Sequence, residues 1–410
     1  MSTVETSVVP WKDEMEKGWP TLLTSLICVG LGAASLLFYS IGVFFGPFQN
    51  EFCWNRGQIS GAFIYLTLGF VISGPILGWL IDRYGARVVA LASIPLLSLS
   101  MIGLANMGNS LAGFYGLFFC AACFGGGTAP IVYTRVVNGQ FAAARGMALG
   151  IILAGTGIAA FVLPPFLAVI IGSYGWRNGF VALAVLAVTA WPLVYFGFRG
   201  ADESAPELTP GTVQGVDRGD AIKSREFWTI CLAFLAVGMA ISGLVVHMVP
   251  LLRDSGLSLP QAARIASLIG VGVIIGRILI GWVIDRVFAP IIAALVFLVT
   301  ASGCILLNIG GAPTAPVAAF LVGFAFGAEI DLIAYLTARY FGMRNYGFLY
   351  GIAYSMFSIG AAVGPAAVGH LFDVNGNYRS ALFSMAVCLA FGAIAMLTLP
   401  RFGRELNRRA

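Results

Sequence analysis

Gly276-Arg277-Ile278-Leu279-Ile280-Gly281-Trp282-Val283-Ile284-Asp285-Arg286 decides how this chain is read. Arg277 stands inside an apolar run that begins near Gln261 and ends at Asp285. Such a run is about the ~20 residues that a helix needs to cross the hydrocarbon core of a bilayer. A guanidinium at that depth costs a few kcal/mol or more, and intramembrane charges of this kind face a bundle interior or a water-filled cavity. Two readings follow. Arg277 is a structural cation paired with a carboxylate on a neighbouring helix, or it binds an anion, because its planar fork matches a carboxylate in bidentate geometry.

The stretch has an echo in the first half of the chain. Gly78-Trp79-Leu80-Ile81-Asp82-Arg83 returns 203 residues later as Gly281-Trp282-Val283-Ile284-Asp285-Arg286, and at the same offset Pro47 falls on Pro250 and Gln58 on Gln261. At an offset of 201, Gly146, Gly150 and Pro164 fall on Gly347, Gly351 and Pro365. Two halves in the same orientation, each of several hydrophobic segments, are the mark of a duplicated transporter with its site between the halves. Arg277 has no counterpart, since Gly74 takes its place in the first copy. That asymmetry favours a functional over a scaffolding role.

Composition supports a membrane solvent. The 410 residues are 59% hydrophobic and only 10% charged, where a soluble domain carries about a quarter charged residues. The 52 glycines suit close helix contacts in lipid. The net charge of +5 does not point to nucleic acid, because the cations lie at the ends of apolar runs. Six of the seven cysteines (Cys28, Cys120, Cys123, Cys231, Cys304, Cys388) lie inside such runs, form no metal-ligand pattern and read as small hydrophobes. The first residues are polar and acidic up to Lys17, without a basic region before the first apolar run, so a cleaved signal peptide is not expected. No nucleotide loop, histidine cluster or hydrolase triad is present, and neither catalysis nor a cofactor is expected.

Twelve spans fit the sequence: 20–47, 57–81, 88–107, 111–139, 147–172, 177–198, 226–252, 261–284, 288–309, 315–341, 347–371 and 379–399. The expected fold is all-α, with twelve transmembrane helices in two pseudo-symmetric six-helix halves, 1–198 and 226–410. They are joined by a polar linker, 199–225, that holds Pro206 and Pro210. Orientation follows from Lys and Arg near the span ends. With the N-terminus inside, 15 fall on the cytoplasmic side and 5 (Arg56, Arg177, Arg253, Arg264, Arg379) outside. Both termini are therefore expected in the cytoplasm of a multi-pass plasma-membrane protein, a bacterial inner membrane being the expected setting.

Gly78-Trp79-Leu80-Ile81-Asp82-Arg83-Tyr84-Gly85-Ala86-Arg87 resembles the G-x-x-x-D-R-x-G-x-R loop signature of the major facilitator superfamily, and the weaker copy at Gly281 to Arg286 stands where that superfamily repeats it. Asp82 can receive backbone donors at a helix N-terminus, and Arg83, Arg87, Asp285 and Arg286 can grip helix ends across the cytoplasmic seam, which makes these five candidate gating residues. Within the superfamily the chain is similar to the monocarboxylate transporter and oxalate–formate antiporter group. The likeness rests on Lys17-Gly18-Trp19, Tyr133-Thr134-Arg135, His247-Met248-Val249-Pro250, Arg277, and Arg339-Tyr340-Phe341-Gly342-Met343-Arg344-Asn345-Tyr346-Gly347. The resemblance implies that Arg277 binds the substrate carboxylate.

Two positions depart from the pattern. The Asp that animal-type monocarboxylate transporters carry one turn before this Arg is Val273, and the eleventh-helix Lys of oxalate–formate antiporters is Ala353. One deep cation suits a monoanion better than oxalate. The missing acid is sought in the tenth span, where Glu329 and Asp331 point about 200° apart on a helix. Either can neutralise Arg277 or Arg339, or carry a proton, with Asp331 slightly preferred; a structural ion pair is the competing reading. A carboxyl in low dielectric stays neutral unless a cation is near, and a substrate that competes for Arg277 changes that balance. Arg135 and Arg339, close to the cytoplasmic ends, either snorkel or pair at the gate. Tyr39, Tyr65, Tyr133 and Tyr335 are candidate cavity phenols, and His247 a satisfied packing residue or a proton port. The expected function is proton-coupled symport of a small organic monocarboxylate by a monomeric carrier, with anion exchange and then a non-transporting sensor as the alternatives. The expected partners are the carboxylate, the proton and the bilayer.

Overall fold

In lipid every backbone N–H and C=O must find its partner within the segment, so the apolar runs become helices. The computed structural model describes residues 11–141, 145–198, 215–284, 286–342 and 344–401. In chain order the helices are α1 (Trp11–Gly30), α2 (Ala33–Ser40), α3 (Phe45–Phe52), α4 (Arg56–Tyr84), α5 (Ala86–Ala105), α6 (Leu111–Gly125), α7 (Pro130–Gln140) and α8 (Arg145–Tyr174). They continue as α9 (Trp176–Gly197), α10 (Arg218–Lys223), α11 (Arg225–Asp254), α12 (Leu259–Ile284), α13 (Ala289–Gly310), α14 (Ala315–Phe341), α15 (Tyr346–Asn375) and α16 (Arg379–Leu397). Eleven of the described helical stretches are long and apolar enough to cross a membrane, and twelve when the bent pair Gly18–Gly30 and Ala33–Phe52 counts as one span. The chain is a multi-pass membrane protein with twelve spans. Trp11, Phe198, Gly215 and Arg401, the described ends of the chain and of its central connection, lie on one face, called here the linker face; the turns at Cys53, Asn106, Gly175, Ser255, Gly311 and Gly376 lie on the opposite face.

Ten of the spans agree with the sequence limits to within a few residues, because uninterrupted apolar runs declare themselves. The first and fourth are broken instead of continuous. The first starts earlier than expected and breaks between α1 and α2, at a 42° bend. The fourth breaks through a 3₁₀ turn, Gly126–Thr128, before Pro130 opens α7 at a position where its missing N–H is no loss. The two breaks face one another. Thr128 Oγ1 accepts from the N–H of Ala33 at 3.0 Å and donates to the Gly125 carbonyl at 2.6 Å. One threonine thereby bonds groups that both discontinuities leave unpaired. Their repeat partners, α11 and α14, run unbroken.

The halves meet through α4 against α15 and α8 against α12, with the 3₁₀ turn Ile41–Phe44 against α11. Named contacts run from mid-depth to the opposite face: Gly157 against Gly270, Gly42 against Val246, and Gly57 against His370 and Asp373. Of the linker, 199–214 lies outside the described residues. From Gly215 onward the chain lies on the α14–α15 connection, with Val216 N–H donating to Phe341 O at 2.9 Å and Asn345 Nδ2 to Val216 O at 3.0 Å.

Candidate functional site

Arg277 is placed by a helix crossing made of glycines. On α12, Gly272 and Gly276 lie against the carbonyls of Phe320 and Phe324; on α14, Gly323 and Gly327 lie against those of Ile269 and Val273. A Cβ at any of the four would overlap the facing carbonyl oxygen. Only glycine lets the two backbones approach this closely, the small-xxx-small device of membrane helices. The crossing sets Arg277, one residue after Gly276, beside Glu329, two residues after Gly327.

Both side chains are buried, Arg277 at 7% and Glu329 at 0% exposure. Neither is satisfied: Nε and Nη1 of Arg277 and both carboxylate oxygens of Glu329 make no hydrogen bond among the described residues. Buried charged groups normally have all such positions paired. Among the described residues this guanidinium has free donors and no bonded counter-ion, and its fork matches the geometry of a two-oxygen anion. Asp331, half-buried, also lies within electrostatic reach of Arg277. Both α14 acids thus lie within the field of the same guanidinium, although helix geometry points them about 200° apart.

The first half contributes Tyr39 from α2, buried and within the field of both Arg277 and Glu329. Next to it Phe38 stacks on Phe326 of α14 with ring centroids 5.6 Å apart, and Tyr39 meets Phe326 edge-on at 6.1 Å. These rings join the halves beside the site. On α15, Tyr350 and Tyr354 come within reach of Arg277; the sequence reading had not singled them out.

The other candidates lie elsewhere. Tyr133 is fully buried inside the first half and packs on Phe198. Tyr65 is 40% exposed and stacks on Tyr115 at 4.6 Å. Tyr335 carries Arg339 over its ring at 5.9 Å, and Arg339 is exposed near the linker face. Arg135 is half-buried on α7. At the linker face, Arg83 lies over Trp79 and Tyr84 of its own helix, and Arg286 lies over Trp282 and donates to its carbonyl at 2.6 Å. Arg87 donates to Tyr195 O at 2.8 Å, within its own half. Asp285 and the side chain of Asp82 lie outside the described residues.

His247 lies toward the opposite face, bonded at both ring nitrogens. It is 1% exposed and fully bonded, with Nδ1 to Tyr378 Oη at 3.0 Å and Nε2 to Ser60 Oγ at 2.8 Å and Pro365 O at 2.9 Å. The set fits Nδ1 accepting from the phenol and Nε2–H donating. Beside it is a cluster that sequence reasoning missed. Arg56 of α4 grips Asp254 of α11 through Nη1 at 2.6 Å and Nη2 at 2.7 Å, and Nη1 also donates to Tyr378 Oη at 2.6 Å. Asp373 of α15 accepts from the N–H groups of Arg56 and Gly57 at 3.0 and 2.8 Å, covering the α4 N-terminus. Burial raises the Tyr378 phenol above its usual value, so it remains a neutral donor and acceptor in this cluster. The halves are latched at the opposite face, while the linker-face contacts named above for Arg83, Arg87 and Arg286 each stay within one half.

Comparisons with known proteins bear on the fold and the family. The sequence model of the major facilitator superfamily matches residues 27–365. Monocarboxylate transporter 13 of Bos taurus is 26% identical over 396 residues, covering 94% of this chain and 90% of that protein. Monocarboxylate transporter 11 of Mus musculus is 26% identical over 347 residues, covering 80% and 76%. Among solved structures, a bacterial homologue of the human lysosomal transporter Spinster, in an inward-facing and occupied conformation, superposes with a TM-score of 0.69 at 15% identity, over 95% of this chain and 96% of that one. That likeness concerns the fold alone. With the family model spanning most of the chain and the twelve-span duplicated architecture in place, the chain belongs to the major facilitator superfamily, and its relatives there are monocarboxylate transporters.

Proposed function

We propose that the chain carries a small organic monocarboxylate across the membrane together with a proton, by alternating access of two halves, 1–198 and 226–410, about a linker at 199–225. The observation that carries this is Arg277: a buried guanidinium with unbonded donors, at the seam of the halves, next to a carboxyl that is itself unbonded. A substrate carboxylate supplies the bidentate partner that Arg277 lacks. With Val273 and Ala353 where a further acid and a further cation would stand, the site offers one cation for one anionic group.

The proton follows from charge balance. Glu329 and the substrate compete for one guanidinium, so a substrate on Arg277 leaves Glu329 to hold a proton, and the cavity moves through the membrane near neutrality. Alternation needs the opposite face to open, which breaks the Arg56–Asp254 latch, and the linker face to close, a step this reading gives to Asp82, Arg83, Arg87 and Arg286. The excess of Lys and Arg at the linker face makes that face the cytoplasmic one in this reading, with a bacterial inner membrane as the setting and the monomer as the working unit.

The test is uptake into proteoliposomes. An acidified exterior drives labelled monocarboxylate inward, and Arg277→Ala and Arg277→Lys abolish it while the protein stays folded, since Lys keeps charge but not the fork. Normal uptake by Arg277→Ala places the site elsewhere. Counterflow without any response to the proton gradient makes the protein an exchanger.

A further inference from the structure

The α15 face that approaches Arg277 is a ladder of tyrosines. Tyr346 stacks on Tyr350 with ring centroids 5.6 Å apart and planes 18° from parallel, and Tyr350 on Tyr354 at 5.9 Å and 18°. Phe357 continues the row at 6.0 Å. The spacing of four residues puts them on one stripe of the helix. Tyr354 is eight residues into α15 from the linker face and Arg277 is seven residues from that end of α12, so both stand at a depth of roughly 10–12 Å.

The ladder is partly open and faces charge. Tyr354 is 39% exposed and lies within electrostatic reach of Arg277 and Glu329. Tyr350 is half-buried and lies within the fields of Arg277 and Asp331. Ser358 of the same helix is the polar neighbour of the Tyr354 side chain, and no such neighbour is found for the Tyr350 hydroxyl among the described residues. The rings of Phe38 and Tyr39 from across the seam, with Phe326 of α14, complete the surroundings. Around a single cation, then, the groups on offer are aromatic faces and phenol hydroxyls, and the two nearest further charges, Glu329 and Asp331, are of the sign that repels a second carboxylate.

We propose that the substrate is an aromatic monocarboxylate, its carboxylate on Arg277 and its ring against Tyr354 and Tyr350, with Tyr346 at the entrance from the linker face. This rests on the carboxylate reading of Arg277 and names the body that the carboxylate carries. Offset or edge-to-face ring contacts add to the burial of apolar area. An acid of acetate or lactate size leaves the tyrosine faces uncovered.

Titration of the purified full chain tests this with benzoate, phenylacetate, cyclohexanecarboxylate, acetate and lactate, and with benzamide as the uncharged control. Benzoate or phenylacetate is expected to bind about tenfold more tightly than acetate or lactate, and several-fold more tightly than cyclohexanecarboxylate of similar volume. Benzamide is not expected to bind. Tyr354→Leu with Tyr350→Leu brings the aryl-to-alkyl ratio down to about twofold; Tyr354→Phe, which keeps the ring and suits a fold intolerant of the larger change, preserves it. Equal binding of benzoate and acetate, or of benzoate and cyclohexanecarboxylate, overturns the aromatic assignment and leaves the carboxylate reading standing. Failure of every acid to bind removes the carboxylate reading, and this inference with it.

Discussion

Arg56 and Asp254 hold the two halves together by a bidentate ion pair, 2.6 and 2.7 Å long, between residues 198 apart in sequence. The guanidinium lies over Phe372 at 3.8 Å and shares Tyr378 with His247, so the pair is tied to α15 and to the turn before α16. Arg56 is 5% exposed, whereas the Asp254 side chain is 39% exposed. Water reaches the acid and not the base, which suits a contact that must form and break in each cycle.

Asp254→Asn is therefore expected to shift the balance toward the form open at the opposite face. Breaking a buried pair costs about 3–5 kcal/mol; with the acid partly wet, about 2 kcal/mol is the expected effect, roughly a 30-fold change in the ratio of states. Spin-label distances across the opposite face read the shift directly. The swap Arg56→Asp with Asp254→Arg should recover part of it, and unchanged distances in Asp254→Asn would mean that the pair does not control opening.

His247→Asn is expected to weaken the same closure without touching proton coupling. The imidazole bridges α4, α11 and α15 through Ser60, Tyr378 and Pro365, and leaving these buried groups unpaired costs about 1–3 kcal/mol. The variant should melt earlier and still accumulate substrate when driven by protons. Loss of proton-driven accumulation in a folded variant that still exchanges substrate would make His247 the proton carrier instead.

Gly276→Val and Gly327→Val are expected to be among the most damaging single changes in the second half, by about 3 kcal/mol or more, because the added carbons have no room against Phe324 O and Val273 O. Gly281, which faces open space, is the matched control. Thermal melting in detergent separates the cases; a normal melting temperature for Gly327→Val would mean that α12 and α14 can part without cost.

How much of this was legible in the sequence depends on whether the signal is local. Span limits were, since each is one apolar run, and Arg277 was, since a cation inside such a run has no bland surface explanation. The breaks in the first and fourth spans were not: Leu31-Gly32 and Gly125-Gly126-Gly127 read as flexible apolar sequence until Thr128 is seen bonding across to Ala33. The latch was not either. Arg56, Asp254 and Asp373 read as separate flanking charges, and Asp373 reaches the Arg56 N–H over 317 residues of chain. For the α14 acids, periodicity set Glu329 and Asp331 on different sides, and only the packing of two helices shows both within the field of Arg277.

The last prediction separates those two acids. Asp331 was the slight preference from sequence, but the structure gives the stronger case to Glu329, which is wholly buried with both oxygens unbonded, while Asp331 is only half-buried. Water can solvate the Asp331 charge and screen it from Arg277, whereas nothing but a proton or the guanidinium can answer that of Glu329. Glu329→Gln should remove the proton from the exchange and leave the substrate site: labelled substrate still equilibrates across the membrane by counterflow, but a proton gradient no longer concentrates it. Asp331→Asn should keep proton-driven accumulation, slowed severalfold at most. If Glu329→Gln concentrates substrate as the unaltered protein does and Asp331→Asn does not, the assignment reverses. If both still do, the coupling proton is carried by neither α14 carboxyl.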